Sequence, residues 1–332
     1  MLFYSHGVIS KLSGYPYTGK FFPGAAYSTS VINDSNNDKY KISPWFVSGF
    51  TDGEGSFILN VSRTTLRTVG WKIEGFFSIA VHKKDRVLLE SIKDYLGVSA
   101  NITQEGNKVK LRMSAKQDLQ KIMTHFDKYP LITQKLADYL LWKKAMIMVF
   151  ERKHLSMKGL CEIVGIKSSL NLGLSPVLQE GFPETLPCER PLVVDQVIPS
   201  EDWVAGFVSA EGCFFVTKHR SSRLGWKVGV AFILTQHNRD EVLMRTFVDY
   251  FGCGSYYPHS TRDIGEYKCQ DFHNNFNKIQ QFFLKYPLLG SKLEDFKDWC
   301  LVLELIKNNA HLTQEGLDTI LNIKNGMNTG RS

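Results

Sequence analysis

The chain reads as an α+β protein made twice over: two α-β-β-α-β-β-α halves, related by a pseudo-twofold axis, whose sheets join into one concave antiparallel β-saddle. Three observations predict this. The stretch WFVSGFTDGEGSF at 45–57 has a second copy, GFVSAEGCF at 206–214, set 157 positions later. The likeness continues beyond that stretch. At an offset of 155, Phe77, His82, Asp85, Leu88 and Tyr95 pair with Phe232, His237, Asp240, Leu243 and Tyr250. At 157, Phe126, Tyr129, Pro130, Lys135, Asp138 and Trp142 pair with Phe283, Tyr286, Pro287, Lys292, Asp295 and Trp299. Finally, each copy is followed by segments in which apolar and polar residues alternate, the period of a half-buried strand.

Taken in order, residues 1–40 carry no sustained periodicity and end in the polar run NDSNND at 33–38, so a flexible leader outside the fold is expected. An N-terminal half is expected over 41–173 and a C-terminal half over 201–332. Between them, 174–200 is expected to be a linker: with Pro176, Pro183, Pro187, Pro191 and Pro199 it shows no convincing helix in its second half. Ser43 and Pro44 suit an N-cap and a first helical residue, and Gly55 can take a left-handed C-cap, which predicts a short helix between them. Ser200 opens the second copy in the same way. Val47, Gly49, Phe50 and Gly53, against Val204, Gly206, Phe207 and Ala210, give both helices a small-residue stripe that lets backbones approach closely. Gly49 and Gly206 are expected at the crossing.

Phe57 to Arg63 then alternates, with Phe57, Leu59 and Val61 inward and Ile58, Asn60, Ser62 and Thr64 outward. Trp71 to His82 resumes the pattern and presents Lys72, Glu74, Phe76, Ser78 and Ala80. By the same parity the second half presents Phe215, Thr217, His219, Lys227, Gly229, Ala231, Ile233 and Thr235. A helix over 84–96, two further strands and a run of helices complete each half. With helices on one side, the other face of each sheet is left free.

That free face has a charge bias. Residues 58–84 hold Arg63, Arg67, Lys72, Lys83 and Lys84 against the single acid Glu74, and residues 215–239 hold Lys218, Arg220, Arg223, Lys227 and Arg239 with no acid. A net charge of +7 points the same way, toward a polyanionic partner. A twisted antiparallel ribbon fits the major groove of DNA, where its central side chains reach base edges. Arg67, Lys84, Arg223 and Arg239, read as lying at hairpin ends, would meet phosphates. The six cysteines contain no Cys-x-x-Cys pair, so neither a zinc site nor a disulfide framework is predicted. Apolar runs fall far short of the roughly 20 residues that span a bilayer, which predicts a soluble chain with no membrane partner.

The repeat also places two acids in an awkward position. If the two motif helices pack in parallel, Glu54 and Glu211 emerge side by side at C-terminal ends, where the helix dipoles and each other's charge are unfavourable unless a cation neutralises them. VSGFTDGEG at 47–55 and VAGFVSAEG at 204–212 resemble the two nine-residue motifs of the LAGLIDADG homing endonucleases. The match is to the single-chain, double-motif kind encoded in organellar introns, nearest the I-OnuI-like group. The resemblance implies that Glu54 and Glu211, at the eighth motif position, are catalytic metal ligands, with Gly53 and Ala210 contributing beside them. Asp52 and Ser209, which differ at the sixth position, receive no catalytic role.

It further implies Mg2+ as cofactor, with Ca2+ or Mn2+ able to substitute, and a monomer that cuts both strands of a long non-palindromic DNA target. A mitochondrial location follows from the same resemblance. The alternative it carries is an RNA maturase that helps its own group I intron to splice, with or without nuclease activity. Retention of both repelling glutamates favours the nuclease.

Overall fold

The computed structural model describes residues 39–221 and 225–331; residues 1–38 of the leader expected over 1–40, and Arg223, lie outside the described residues. The N-terminal half runs α1 (Pro44–Glu54), β1 (Gly55–Arg63), β2 (Trp71–His82), α2 (Arg86–Leu96), β3 (Ile102–Glu105), β4 (Lys108–Met113), α3 (Lys116–Lys128), α4 (Lys135–Phe150) and α5 (Met157–Ser168). A short α6 (Pro176–Gly181) lies in the connecting segment. The C-terminal half repeats the order as α7 (Glu201–Glu211), β5 (Gly212–Ser221), β6 (Gly225–His237), α8 (Glu241–Phe251), β7 (Ser255–Pro258) and β8 (Ile264–Cys269). It ends with α9 (Phe272–Asn274), α10 (Gln280–Lys285), α11 (Ser291–Lys307) and α12 (Gln314–Asn325). Each half holds one antiparallel sheet, ordered β1-β2-β4-β3 and β5-β6-β8-β7.

The strand parity read from the sequence is the parity found. Phe57, Leu59, Val61, Ile73, Phe77 and Ile79 are buried beneath α2, α3 and α4 in one core. Phe214, Val216, Val230, Phe232 and Leu234 are buried beneath α8 and α11 in the other. The packing repeats ring by ring: Phe57 lies 5.0 Å from Phe77 and 5.4 Å from Trp142, and Phe214 lies 5.2 Å from both Phe232 and Trp299. Aromatic side chains of this size each contribute on the order of 1.5–3 kcal/mol by burial, so these clusters dominate the stability of each half.

The halves meet where α1 crosses α7. A Cβ on Gly49 would lie 2.0 Å from Trp203 O, and one on Gly206 would lie 2.1 Å from Phe46 O. The two contacts are each other's image under the repeat, as a pseudo-twofold axis at the crossing requires. Further along, a Cβ on Gly53 would meet Ala210 Cβ at 2.4 Å, so only small residues fit down the seam.

One local expectation is corrected. Gly55 does not take a left-handed cap: its φ of −76° and ψ of 151° are extended, as are the −68° and 148° of Gly212. The helix passes straight into a strand with no reversal. Glycine is used there because a Cβ would lie 2.8 Å from Thr51 O in one copy and 2.6 Å from Val208 O in the other. Ser43 has cap geometry without a side-chain bond, whereas Ser200 accepts from Asp202 N at 3.2 Å.

The sixth motif position has a structural task in both copies. Asp52 is buried and accepts from Ile132 N at 3.1 Å, Thr133 N at 3.2 Å, Thr133 Oγ1 at 2.5 Å and Trp203 Nε1 at 2.9 Å. Ser209 Oγ accepts from Leu289 N at 3.1 Å. Ile132 and Leu289 are equivalent, so the motif helix holds the loop ahead of α4 and the loop ahead of α11 alike. His82 and His237, paired in the repeat, cap the turns that follow their strands by accepting from Lys84 N and Arg239 N.

Alanine at Gly49 forces a methyl against a backbone carbonyl that cannot turn aside. We expect Gly49→Ala to cost about 3 kcal/mol or more, read as a lowered urea midpoint. Gly326→Ala, whose Cβ would meet nothing nearer than Ile323 O at 3.5 Å, should change stability by less than about 0.5 kcal/mol. A wild-type midpoint for Gly49→Ala would remove the close crossing.

Candidate active site

Glu54 and Glu211 end α1 and α7 and are half-buried at the seam. A Cβ on Gly53 would lie 3.1 Å from Glu211 Cγ and 3.4 Å from its Oε1, so the second carboxyl leans over the last turn of the first helix. Burial pushes Glu54 up to about 7, and the neighbouring Glu211 and Asp85 add to the rise. Burial raises Glu211 as well, while Lys135 and Lys292 oppose the rise at both carboxyls. The pair therefore titrates as one coupled unit inside a small charged cluster.

Lys135 is the first residue of α4, and its Nζ donates to Thr51 O at 2.8 Å and Gly53 O at 2.7 Å. These carbonyls belong to the last turn of α1, where a helix carries partial negative charge and welcomes a cation. Burial pulls Lys135 below its ordinary value, against the pull of Asp52, Glu211 and Glu54. Lys292, its equivalent on α11, acts on both glutamates from the second half. Sequence reading paired these lysines but gave them no role. Each lies 81 positions beyond its glutamate, a separation that hides the contact, and only their identical place in the repeat could have signalled it.

The donor set suits a hard divalent cation: two carboxylates and the carbonyls at adjoining helix ends. Gly53 O already accepts from Lys135, so of the two backbone positions expected beside the glutamates, Ala210 is the less encumbered. Among the described residues no group of three or more His, Cys, Asp or Glu side chains could hold a metal ion. The protein offers a partial shell, which an oxygen-rich substrate and water would complete.

On the free sheet faces, Ile58, Asn60, Ser62, Lys72, Glu74, Phe76 and Ala80 point outward as expected, and Asn60 lies opposite Glu74 and Ser62 opposite Lys72. Thr64 follows directly in the hairpin, and Arg67 is exposed at its tip. Lys72 and Glu74 form an ion pair at 2.7 Å. In the second half Phe215, Thr217, His219, Lys227, Gly229, Ile233 and Thr235 share the corresponding face.

Four expectations are corrected. Ser78 and Ala231, outward by parity, are 4% and 1% exposed, because each is a small side chain sunk beside a large cross-strand partner, Arg112 and Phe215 respectively. Lys84 and Arg239 are not at hairpin ends. They lie in the 3-10 turns that follow β2 and β6 at the opposite ends of those strands. Lys84 Nζ donates to Arg331 O, and Arg239 lies 3.7 Å from Asp240. The sequence missed Lys110, Arg112 and Lys268 on the same free faces, since β4 and β8 were not assigned residue by residue. The Arg112 guanidinium stacks 3.5 Å from the Phe76 ring, and Lys268 pairs with Glu266 at 2.9 Å.

Comparison with known proteins supplies the context for this geometry. The LAGLIDADG endonuclease family matches residues 47–146 and again residues 204–303. A probable intron-encoded endonuclease 3 of Neurospora crassa is 39% identical over 86% of this chain and 54% of its own length. A probable intron-encoded endonuclease 2 of the same fungus is 33% identical over 86% of this chain and 65% of its own. The chain thus spans about half to two thirds of these curated relatives. Among solved structures, the I-SmaMI LAGLIDADG homing endonuclease bound to cleaved DNA has a TM-score of 0.86 and 40% identity, covering 88% of this chain and 99% of that one. I-GzeII in complex with its DNA target has a TM-score of 0.83 and 38% identity, covering 88% and 100%. No helix among the described residues is long and apolar enough to cross a membrane.

The raised carboxyls make stability depend on pH. Glu54 binds its proton more tightly folded, with a value near 7 against an ordinary 4.5, so its contribution is complete below 4.5 and lost as pH rises through 7. Without divalent ions the protein should therefore lose on the order of 1–3 kcal/mol between about pH 5 and pH 7.5. Glu54→Gln should flatten that loss and raise Tm at pH 7.5. Ca2+ should raise the wild-type Tm and leave the variant's largely unchanged. A variant that keeps the wild-type pH dependence would show that Glu54 is not its source.

Proposed function

We propose a function from one premise: this chain belongs to the LAGLIDADG endonuclease family. It is a site-specific endonuclease of double-stranded DNA that works as a monomer and cuts both strands of a long target. The observation that carries this reading is the pair of repelling glutamates at adjoining helix ends, a cost to folding that only a cation and a polyanion make useful. The outward residues of the two halves differ at nearly every equivalent position, which suits a target without a palindrome.

A divalent cation at Glu54 and Glu211, Mg2+ in the cell with Ca2+ or Mn2+ able to take its place, supplies the positive charge that lowers the pKa of a bound water and stabilises the oxygen leaving the phosphate. The remaining work falls to the chain. Glu54 and Glu211 act as ligands and not as nucleophiles. Lys135, tethered to the carbonyls of Thr51 and Gly53, sets an ammonium near both carboxyls, where it can orient a water. Its lowered pKa makes that proton easier to give up. Lys292, at the equivalent place on α11, acts on both glutamates from the second half and can orient a water there.

The free sheet faces hold the DNA. Asn60, Glu74, Thr217, His219 and Lys227 approach base edges, while Arg67 meets phosphate at the end of the first hairpin. Relatives named as intron-encoded endonucleases of a fungus support homing of the host intron as the biological role, and a relative named as a mitochondrial protein, RF1 of Saccharomyces cerevisiae, supports the mitochondrion as the location.

Two experiments test the reading. Wild-type protein with Mg2+ and an intronless version of the host gene should give one discrete double-strand cut, and Glu54→Gln or Glu211→Gln should slow it by at least about a hundredfold. Specific binding measured in Ca2+-free buffer should persist in both variants. Normal cutting by either would remove the assignment. Second, Asn60→Ala should relax base preference at one position by about 1–3 kcal/mol. Arg67→Ala should weaken all sequences alike and lower the slope of log affinity against log salt by about 0.9. Exchanged signatures would mean that the free face is not the reading face.

A further inference from the structure

Neither helix that carries a lysine of the site is capped by the side chain at its own N-cap position. Gln134, at the N-cap of α4, and Gly290, at the N-cap of α11, make no side-chain capping bond. Thr133 Oγ1 accepts from Lys135 N at 3.2 Å, and the amides beside these positions turn to the other half of the molecule. Gln134 N, in the first half, donates to Asp240 Oδ1 of the second half at 2.7 Å. Ser291 of the second half donates to Asp85 of the first, from N to Oδ1 at 2.5 Å and from Oγ to Oδ2 at 2.9 Å. The exchange is reciprocal, since Asp85 and Asp240 are equivalent, as are Gln134 and Ser291.

The two aspartates are drawn away from the task their own position suggests. Asp85 and Asp240 sit at the N-caps of α2 and α8, yet neither caps its own helix by side chain. Asp240 is 1% exposed, and Gln196 of the connecting segment locks it by donating to Oδ1 at 2.8 Å, to Ile132 O at 3.0 Å, and by accepting from Leu243 N at 3.2 Å. At the other clasp a Cβ on Gly290, whose φ is +69°, would lie 2.4 Å from Asp85 Oδ1, so glycine there leaves the carboxylate its place.

We propose that Asp85 and Asp240 are positioning residues that act in trans: each caps the helix bearing the active-site lysine of the opposite half, so that Lys135 is set by the C-terminal half and Lys292 by the N-terminal half. Acidic caps at a helix N-terminus satisfy otherwise orphaned amides and favour the dipole, and a helix fixed at its first turn fixes the side chain that leaves from that turn. Neither half alone completes its own lysine. The proposal rests on the nuclease reading for its catalytic consequence, though the capping itself does not.

Amide hydrogen exchange reads the capping whatever the protein does to DNA. Gln134 N should be protected in the wild type and exchange freely in Asp240→Ala with Ser291 unchanged, and Asp85→Ala should give the mirror result. Loss of protection at both sites in each variant, or at neither, overturns trans capping. Catalysis is read with nicking assays on supercoiled target DNA, for which the wild type must first cut; its failure would sink the nuclease reading and leave the exchange result standing. Asp240→Ala and Asp85→Ala should each slow one strand by roughly ten- to a hundredfold and accumulate nicked circles, broken in opposite strands, with affinity in Ca2+ unchanged. Asp240→Asn, which keeps an accepting oxygen, should cut as the wild type does. Equal slowing of both strands, or a defect in Asp240→Asn as large as in Asp240→Ala, would overturn the positioning role. Should the alanine variants fail to fold, Gln134→Pro decides: proline suits the φ of −59° there, removes the donor with Asp240 in place, and should reproduce the single-strand defect.

Discussion

Everything in this molecule depends on two helix backbones that touch. With the place of a Cβ on Gly49 filled by Trp203 O, and that on Gly206 by Phe46 O, α1 and α7 have no side-chain layer between them at the crossing. That contact fixes the relation of the two sheets, since β1 and β5 leave the helices at Gly55 and Gly212 with no intervening turn. It also fixes the relation of Glu54 and Glu211, one residue before those glycines. A seam with larger residues would separate the carboxyls and rotate the sheets together. The small-residue stripe is therefore a constraint on chemistry as much as on packing.

Around the seam the repeat is kept where it carries geometry and relaxed where it carries only burial. Asn171 Nδ2 donates to Phe57 O at 2.8 Å and Asn328 Nδ2 to Phe214 O at 3.0 Å, each from a positive φ. Arg190 pairs with Asp138 at 2.8 Å, and Arg331 with Asp295 at 3.1 Å, although the two arginines are not equivalent in the repeat. By contrast, Ser48 Oγ donates to Tyr129 O at 2.6 Å and lies 3.2 Å from His125 Nε2 in the first half. The second half has Ala205 and Phe282 at those positions. Burial presses His125 down to about 4, so the first half carries a neutral polar knot where the second carries hydrocarbon.

The fold was legible because period-2 alternation after each motif leaves little freedom: once Phe57 is inward, Asn60 and Ser62 must be outward. The two glutamates were legible from the duplication and from the electrostatic penalty of their position. What escaped has a common cause. Lys135, Lys292, Asp85 and Asp240 act through tertiary contacts spanning many tens to hundreds of residues, and each is an ordinary surface type when read locally. Lys84 and Arg239 were misplaced because charge near a strand end was read as hairpin charge, although the strand ends that flank a hairpin and those that flank a helix lie at opposite sides of the sheet. Ser78 and Ala231 failed for another reason: parity assigns a face, but exposure on that face depends on the size of the cross-strand neighbours.

The charged cluster gives the clearest view of how the fold is used. Buried carboxyls normally find cationic partners close enough to pull their pKa down; here Lys135 and Lys292 oppose a rise at Glu54 that burial and Glu211 nevertheless win. Lys135 could have closed on a carboxylate. Instead its Nζ is held by Thr51 O and Gly53 O, two neutral acceptors, so the positive charge stands near both acids without neutralising either. Asp52, a buried acid close by that accepts from Ile132 N, Thr133 N and Thr133 Oγ1, is spent on the loop that delivers Lys135. The fold thus keeps its cation and its anions apart by hydrogen bonds to backbone, and the unsatisfied negative charge left at the seam is what a metal ion would find there.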